Sequence, residues 1–523
     1  MGKQMRNKRN GLRKMKEAAQ KYMKIVLGAY LLLMIAAFPF YAPQGYVEIG
    51  ISKYKFFRMS GMIFAALICP AVFMLLIYWI KAKEKVKLSW TDKAVFFYGL
   101  AVLISYLFCE WKQEALWGTE GWYMGLMSQL IFVMIYFTVS RFSESIKSWY
   151  GVFLAVSSII FLLGFLNRFS IYPIEMEGSS PVFISMLGNI NWFCSYWMVV
   201  FPIGIVLYWT GSEKVFWKKA ALISYILLGN MTGIVQGSSS GFLALGVVFL
   251  ALFFLSFENN EALLRWIELG ILFAVSLLAV SVIQIAFPRN LNYENVIEAG
   301  LTKPVVAFST FIVMLCLYAI AYVGLKKREH SVESILWMKK TIAGILFAVI
   351  LTVGILAIYF NFFGTTEETS RIAEIFTLDD EWGNYRGATW RAGLEAFAAM
   401  PVFNKIVGVG TDCFYLFAYN NWQIAERLYH VFGDARLTNA HNEWLTVLVN
   451  SGILGFFSYA AIFLSAIFQQ VKAGKKQKMI LVSAVCILSY TAHNMVSFQQ
   501  VICTPVVFIL LGFGEKLLRE AGT

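Results

Sequence analysis

The chain has 523 residues, of which 59% are hydrophobic and 14% charged, and its mean hydropathy is +0.65. These values exclude a soluble globular protein, whose composition is far more polar. The formal net charge of +13 does not indicate a nucleic-acid-binding protein, because the basic residues concentrate at the N-terminus and in short loops. The seven cysteines show neither a disulfide framework nor a zinc-ligand spacing. The sequence therefore predicts an all-α, polytopic membrane protein.

The N-terminal segment 1–24 carries nine Lys and Arg residues and no small-residue cleavage pattern follows it. We interpret it as a retained cytoplasmic segment rather than a cleaved signal. Apolar runs then recur, each long enough to cross about 30 Å of hydrocarbon as a helix. About eleven spans are expected in a membrane domain 25–363, and three more in a C-terminal part 441–514. The expected spans are 25–41, 60–80, 94–109, 124–140, 150–166, 190–209, 220–236, 241–257, 266–287, 304–325, 341–363, 441–468, 479–496 and 500–514.

The loops between these spans alternate in charge. If the basic N-terminus is cytoplasmic, the positive-inside rule requires every second loop to be basic, and six are. The loop 258–265 is neutral to acidic and gives no support. We therefore expect the C-terminal tail 515–523 to be cytoplasmic as well. The loops expected outside are 110–122, 167–189, 237–241, 288–303 and 364–440.

The segment 364–440, of about 77 residues, is far longer than an ordinary connection. Its many aromatic residues predict an ordered external loop domain rather than a solvated linker. Trp390, Leu394 and Phe397 recur at helical spacing, while Arg391 and Glu395 lie together on another face. This pattern predicts an amphipathic helix that lies on the bilayer.

Charged residues are nearly absent from the expected spans, so we place any chemistry at the outer rim. His441 follows Asn439, a plausible N-cap, where an apolar span begins. In a first helical turn the helix dipole would disfavour the imidazolium form. A neutral imidazole accepts a proton from a hydroxyl group, as a general base for glycosyl transfer must. The alternative is an interfacial histidine that only reaches the headgroups.

Arg386 is the main candidate for a phosphate or pyrophosphate contact, since a guanidinium group matches these anions. Its alternative role is an ion pair with the acidic residues 379–381, which we interpret as a solvated charge run and not a metal site. Gly408 and Gly410 are interpreted as a tight turn, and Gly452 as a site of close helix packing. His493 is expected to be a structural residue within a span, or a member of the same outer cavity.

Several of these motifs together resemble the O-antigen ligase and O-antigen polymerase family, which includes bacterial protein O-oligosaccharyltransferases. The C-terminal motifs are Arg386-Gly-Ala-Thr-Trp390, the Gly408-Val-Gly410 stretch, and Asn439-Ala-His-Asn-Glu-Trp-Leu445. The segments 116–125 and 188–191 also fit, the second as a Gly-Asn-x-Asn pattern. Family members commonly carry a Ser-Arg-Gly motif in an earlier outer loop. This chain has Ser239-Ser240-Gly241 there, without the arginine.

The resemblance implies a GT-C-like glycosyltransferase of the bacterial cytoplasmic membrane. Its donor would be an undecaprenyl-pyrophosphate-linked glycan, and its acceptor another repeat unit, a lipid, a wall polymer or a protein. No cofactor or metal is implied. By carry-over, His441 and Arg386 are the expected catalytic residues. The expected substrate-binding residues are Arg391, Arg436, Asn442, Asn191, Ser239, Ser240 and Trp117, with Arg391 or Arg436 in place of the missing arginine.

Two other classes of protein share features of this sequence. A flippase or exporter of lipid-linked glycans also has about fourteen spans, but such proteins usually carry charges within them. A cell-wall transglycosylase of the shape, elongation and division type has an outer loop, but relies on a carboxylate there and has fewer spans. The nearly uncharged spans and the long outer loop favour a polymerase or ligase.

Overall fold

The computed structural model describes residues 2–84, 87–211, 213, 215–287, 296–327, 332–363 and 371–522. This part of the chain is all-α apart from one antiparallel ribbon, in which Phe183 pairs with Asn189 and Ile184 with Gly188. The strands are β1 (Phe183–Ile184) and β2 (Gly188–Asn189). The helices are α1 (Gly2–Leu32), α2 (Ile49–Ala82), α3 (Trp90–Phe108), α4 (Lys112–Trp117), α5 (Leu126–Phe142), α6 (Ile146–Arg168), α7 (Ile190–Thr210), α8 (Phe216–Val235), α9 (Ser240–Ser256), α10 (Asn260–Ala286), α11 (Val296–Leu301), α12 (Pro304–Tyr322), α13 (Leu336–Phe362), α14 (Arg371–Phe376), α15 (Trp382–Ala399), α16 (Val402–Val407), α17 (Phe414–Asn420), α18 (Trp422–Phe432), α19 (Glu443–Gly474), α20 (Ile480–His493) and α21 (Thr504–Glu520).

Within the described residues, nine helices are long and apolar enough to cross a membrane. Three further apolar helices, α5, α9 and α20, are shorter. Each of the fourteen predicted spans overlaps a helix, but fourteen crossings remain a prediction because five of those helices are not among the nine that are long and apolar enough to cross a membrane. The nine candidate spans are Asn10–Phe40, Ile49–Ala82, Trp90–Phe108, Ile146–Arg168, Ile190–Thr210, Asn260–Ala286, Pro304–Lys326, Val332–Asn361 and Glu443–Gly474.

The centre of the bundle is formed by α7 and the C-terminal helices α20 and α21, which are buried along nearly their whole length. Most of their side chains are apolar, as expected of helices surrounded by other helices, and the charged residues of α21 lie in its last two turns. Trp197 and Trp209 in α7 are almost fully buried. Their indole N–H groups donate to the Gly229 carbonyl and to Ser256 Oγ, at 2.9 and 2.8 Å.

The segment α15–α18 contributes to a second hydrophobic cluster, which also contains residues at the beginning of α19 and at the end of α3. The helix around Trp390 is α15, and its position on the bilayer stays a prediction. Helix α15 buries a face of small residues, and a Cβ at Gly393 would lie 2.6 Å from Leu445 in α19. Small residues allow this close approach, so the helix packs on α19 and leaves Leu394 exposed.

Candidate active site

The site begins at the first residues of α19. Asn442 is the N-cap, and its side-chain oxygen accepts a hydrogen bond from the Leu445 amide at 3.1 Å. The sequence prediction of Asn439 as N-cap is therefore wrong. Asn439 Oδ1 instead accepts from the His441 amide at 2.9 Å, and His441 adopts a left-handed conformation with φ of 46°. His441 thus lies outside the helix, two residues before its first residue.

The imidazole of His441 is partly buried and lies edge to face against Phe498, with ring centroids 5.1 Å apart. Burial, and to a smaller extent the positive charge of Arg386, lowers the pKa of His441 to about 4. The ring is therefore neutral at pH 7. The sequence attributed a neutral ring to the helix dipole, whereas burial is the larger cause here.

Arg386 lies one turn into α15, directly after three residues in left-handed conformation, Gly383, Asn384 and Tyr385. This unusual turn costs energy at the two residues that carry a side chain, and such strain is typical of functional sites. The guanidinium donates from Nε to the Val496 carbonyl at 3.2 Å and from Nη1 to the Gly383 carbonyl at 2.8 Å. Nη2 donates to none of the described residues.

The ion pair considered for Arg386 does not form with the acidic residues 379–381. Asp380 pairs instead with Arg391, at 3.3 Å, and Arg391 Nη2 also donates to the Leu378 carbonyl. The predicted Arg391–Glu395 pair is also wrong, because both carboxylate oxygens of Glu395 accept from Arg427 Nη1, at 2.7 and 2.6 Å. Arg386 is thus the arginine of this segment that places positive charge beside His441.

Glu443, the first residue of α19, is fully buried and accepts three hydrogen bonds that sequence reasoning missed. The donors are the hydroxyls of Tyr459 and Tyr490 and the amide of Asn494. The Glu443 amide also donates to the Asn494 carbonyl at 3.0 Å. These bonds tie the beginning of α19 to the end of α20, and so fix the backbone next to His441.

The loop 494–503, which the sequence placed mostly within spans, connects this point to α7. His493 Nε2 lies 2.9 Å from Ser195 Oγ, and Gln500 Nε2 donates to the same hydroxyl at 3.3 Å. Ser195 follows Asn191 by one helical turn and donates to its carbonyl. His493 is therefore a buried hydrogen-bonding residue beside the site, which agrees with the alternatives left open for it.

Asp412 joins the segment 117–125 to the outer loop domain. Its carboxylate accepts from the amides of Thr119 and Met124, at 2.7 and 2.9 Å. Burial raises the pKa of Asp412 to about 7, against the opposing effect of these two amides. The contact positions Trp122, whose ring lies 4.3 Å from Phe498 and 5.4 Å from Trp192.

These residues enclose a narrow cavity lined by Asp412, Asn439, Glu443 and Phe498, among others. Its volume is about 30 Å³. That is enough for about two water molecules, and too little for a sugar ring. Phe498 is buried, so the half-buried rings of Trp122 and Trp192 are the part of this aromatic set available to a glycan.

The glycines of the Gly408-Val-Gly410 stretch allow this backbone to lie directly against a kink in α19. The amides of Val409 and Gly410 donate to the carbonyls of Val449 and Asn450, at 3.2 and 3.0 Å. Gly452 has φ of 64°, and a Cβ there would lie 2.4 Å from the Ile406 carbonyl oxygen. The stretch is therefore a tight turn, as interpreted from the sequence. It packs against the kink in α19.

Residues 301–460 match the model of a family described as O-Antigen ligase. The resemblance seen in the sequence is thereby confirmed. No curated protein matches the chain. The match supports a membrane glycosyltransferase of the ligase or polymerase type in general, with a lipid-linked glycan and an acceptor as its partners. It includes α15 and the beginning of α19, and therefore both Arg386 and His441.

The remaining predicted site residues are more scattered. Asn442 caps α19, and Asn191 is exposed at the beginning of α7. Ser240 is buried and bonds to Ser238, at 2.8 Å, while Ser239 is exposed in the same turn. Trp117 accepts from the Tyr54 hydroxyl through its carbonyl, and the Arg436 guanidinium lies over the Tyr415 ring.

An arginine does lie at the serine turn, although the Ser-Arg-Gly motif lacks one. Arg168, at the end of α6, donates to the carbonyls of Val235 and Pro181, at 2.7 and 3.1 Å. Its Nη2 would be 3.5 Å from a Cβ at Gly237. Sequence reasoning missed Arg168 because it comes from a different helix, far from the serine turn in the chain.

The described residues contain no group of three or more His, Cys, Asp or Glu side chains arranged to hold a metal ion. The cationic and neutral donors at the rim, Arg386 above all, instead suit an anionic phosphate group. The acidic side chains nearest to His441 are already hydrogen-bonded, Asp412 to backbone amides and Glu443 to tyrosines. The arrangement therefore offers a neutral base, a nearby positive charge and an aromatic surface.

Proposed function

We propose that this protein transfers or polymerises an undecaprenyl-pyrophosphate-linked glycan onto an acceptor hydroxyl at the outer face of the bacterial cytoplasmic membrane. In this proposal the N- and C-termini are cytoplasmic and the segment 364–440 is extracytoplasmic. The observation that carries the proposal is the neutral imidazole of His441 beside Arg386, within the segment that matches the O-Antigen ligase model.

The reaction requires one proton transfer and one displacement. The acceptor hydroxyl gives its proton to the neutral His441 ring while its oxygen forms a bond to the anomeric carbon of the donor. The bond from that carbon to the pyrophosphate oxygen breaks, and the electron pair leaves with polyprenyl pyrophosphate. Arg386, with Nη2 directed to none of the described residues, stabilises the charge that develops on this oxygen.

Donor binding also makes His441 a stronger base. Without the donor, burial and the charge of Arg386 keep the pKa of His441 near 4, which is low for a base at neutral pH. A bound pyrophosphate places negative charge next to Arg386 and offsets its effect, so the imidazolium becomes easier to form. The base is thus most effective when a donor is present, which limits proton transfer in its absence.

The half-buried rings of Trp122 and Trp192 are the proposed glycan-binding surface, and the buried Phe498 packs against Trp122. Trp122, Trp192 and Phe498 form a connected set of rings, and His441 contacts Phe498. Asn191, Ser239 and Asn442 lie at helix ends around this part of the site and offer polar groups to sugar hydroxyls or phosphate oxygens. The two residues named as substitutes for the missing arginine, Arg391 and Arg436, are each engaged by a neighbour. For this reason we assign Arg386 the main phosphate contact.

The test is glycan transfer from a purified lipid-linked donor by the reconstituted protein. We expect His441→Ala to lower transfer by a factor of about 10² to 10⁴, the usual range for a general base. His430→Ala is the matched control, because His430 is an exposed histidine on α18. Full activity of the His441→Ala protein would show that His441 is not the base.

A second pair of variants tests the role of Arg386. Arg386→Lys keeps the positive charge but not the planar fork, whereas Arg386→Ala removes both. We expect a smaller loss of transfer in the lysine variant than in the alanine variant. The change in acceptor affinity should be equal in the two variants. A flippase would behave differently, since both variants would then alter translocation of the lipid-linked glycan in vesicles without any transfer being detected.

A further inference from the structure

Cys109 and Cys413 lie in contact although 304 positions separate them in the chain. Their sulfur atoms are 3.7 Å apart. Cys109 ends α3, and Cys413 follows Asp412 in the outer loop domain. Both side chains are buried, in the hydrophobic cluster that joins this domain to α3.

The local backbone gives the two sulfur atoms space to move together. Gly410 has φ of 122°, and a Cβ at this position would lie 2.3 Å from Cys109 Sγ and 3.0 Å from Cys413 Sγ. The absence of that Cβ leaves the region between the two side chains open. In a disulfide the two sulfur atoms are about 2.05 Å apart. Formation of the bond therefore requires the two side chains to rotate toward each other.

The environment of Cys109 also suits the first step of disulfide formation. Its sulfur accepts a hydrogen bond from the Trp111 amide at 3.2 Å. The contact with Cys413 and this amide lower the pKa of the Cys109 thiol, and the cation of Lys112 has the same effect. A thiolate attacks a disulfide, whereas a thiol does not.

We propose that Cys109 and Cys413 form a disulfide bond that attaches the outer loop domain to the end of α3. This proposal rests on the orientation given under the proposed function, which places both residues in an oxidising extracytoplasmic compartment. The Cys109 thiolate attacks a sulfur of a disulfide-bearing oxidant, such as an extracytoplasmic thiol-disulfide exchange protein, and one thiolate leaves. Cys413, after losing its proton, then attacks Cys109 Sγ in this mixed disulfide, and the second thiolate leaves. The oxidant gains two electrons and two protons, which the two cysteines lose.

The bond has a direct consequence for the site. Asp412, next to Cys413, holds the segment 117–125 through the amides of Thr119 and Met124. Trp122 in that segment contacts Phe498, which in turn contacts His441. A bond at Cys413 therefore secures one wall of the proposed glycan-binding surface. Both sulfur atoms are buried in the folded protein, so we expect the bond to form while the outer loop domain folds.

The test is peptide mapping of the full-length protein, purified from membranes and denatured with an alkylating agent but no reductant. We expect one cross-linked peptide pair that contains residues 109 and 413, with the other five cysteines alkylated. Complete alkylation of both Cys109 and Cys413 would overturn the proposal. Cys109→Ser should leave Cys413 alkylated, and Cys413→Ser should leave Cys109 alkylated. Cys316→Ser, at an exposed position on α12, is the matched control and should keep the cross-link.

A second measurement separates the bond from the proposed activity. Reduction should lower the thermal midpoint of the wild-type protein but not that of the Cys109→Ser, Cys413→Ser double variant. An equal shift in both proteins would contradict a stabilising bond. A protein that transfers glycan with both thiols free overturns the disulfide alone, whereas a cross-linked protein without transfer overturns the proposed function alone.

Discussion

Helices α7 and α13 are both long and apolar enough to span a membrane, yet they have opposite surroundings. In the most apolar part of the candidate span Ile190–Thr210, 83% of the residues are buried inside the protein. In the span Val332–Asn361, which contains α13, the share is 0%. Hydropathy does not distinguish these cases, since an apolar side chain is equally suited to lipid and to a protein interior.

Helix α7 is buried and α13 is not because the neighbours of α7 fit its side chains and accept hydrogen bonds from them. Helix α8 offers α7 two glycines, where a Cβ at Gly229 would lie 2.1 Å from Phe201 and one at Gly233 would lie 2.2 Å from Trp197. Phe201 and Trp197 of α7 fill the space that these glycines leave, and the N–H groups of Trp197 and Trp209 donate to nearby oxygens. Helix α13 is rich in Ile, Leu and Val, and a Cβ at its glycines, Gly344 and Gly354, would meet nothing within 4 Å. The candidate site is therefore built on the packed helices, and α13 is separate from it.

The largest expected effect is on stability, from substitutions of tryptophan in the two helices. Trp197→Ala removes a buried ring that stacks on Phe201 and donates to the Gly229 carbonyl. We expect it to lower the free energy of unfolding by about 3–5 kcal/mol. Trp337→Ala, at a position 63% exposed in α13, should change it by less than about 0.5 kcal/mol. Thermal unfolding in detergent, followed by circular dichroism, measures both. Equal losses of stability would show that Trp337 of α13 packs against a further protein surface.

The next effect concerns the carboxylate of Glu443. Glu443→Ala leaves the buried donors of Tyr459, Tyr490 and Asn494 without their acceptor, and we expect a loss of about 3 kcal/mol in the free energy of unfolding. Glu443→Gln retains an oxygen acceptor and should lose less. Thr352→Ala, exposed on α13, is the control and should unfold like the wild type. If the alanine and glutamine variants unfold alike, these hydrogen bonds do not stabilise the protein.

The sequence predicts the helices better than it predicts their contacts. Apolar runs are local properties, so each predicted span overlaps a helix. His441 and Arg386 each stand in a local motif that resembles a known family, so the sequence alone proposes them as site residues. Arg168 and Asp412 were missed as site residues because their roles depend on partners distant in the chain. The N-cap was placed three residues too early, since Asn439 and Asn442 are equally suitable by residue type and only the left-handed conformation of His441 decides between them.

Glycine substitutions test the same difference between the packed helices and α13, with smaller expected changes in the free energy of unfolding. Gly452→Ala places a Cβ 2.4 Å from the Ile406 carbonyl oxygen, in a backbone conformation unfavourable for alanine, and should lower the free energy of unfolding by about 1–3 kcal/mol. Gly344→Ala meets no neighbour within 4 Å in α13, so it should stabilise the protein by up to about 1 kcal/mol. The opposite signs are measured by thermal unfolding in the same detergent. A loss in the α13 variant would mean that its helix is closely packed in solution.

The smallest effect concerns pH, and it belongs to the packed region as well. The pKa of Asp412 is raised to about 7, so the folded protein holds this proton more strongly than the unfolded chain. Its contribution to stability is complete below about pH 3.9, the usual pKa of an aspartate, and is lost as the pH rises through 7. The pKa of His441 is lowered to about 4, so its contribution is present above about pH 6.5 and is lost as the pH falls through 4.

Between pH 4 and 6.5 the contributions of Asp412 and His441 to stability change in opposite directions as the pH rises. Single variants separate the two contributions. Asp412→Asn should remove the part of the stability that falls as the pH rises, so that the thermal midpoint rises more steeply with pH than in the wild type. His441→Ala should remove the rising part and give the opposite change of slope, while Thr352→Ala should leave the profile unchanged. Each group changes the free energy of unfolding by at most about 1.4 kcal/mol per pH unit, so the change of slope is the smallest effect expected here. Parallel profiles for all four proteins would mean that neither group changes its proton affinity on folding.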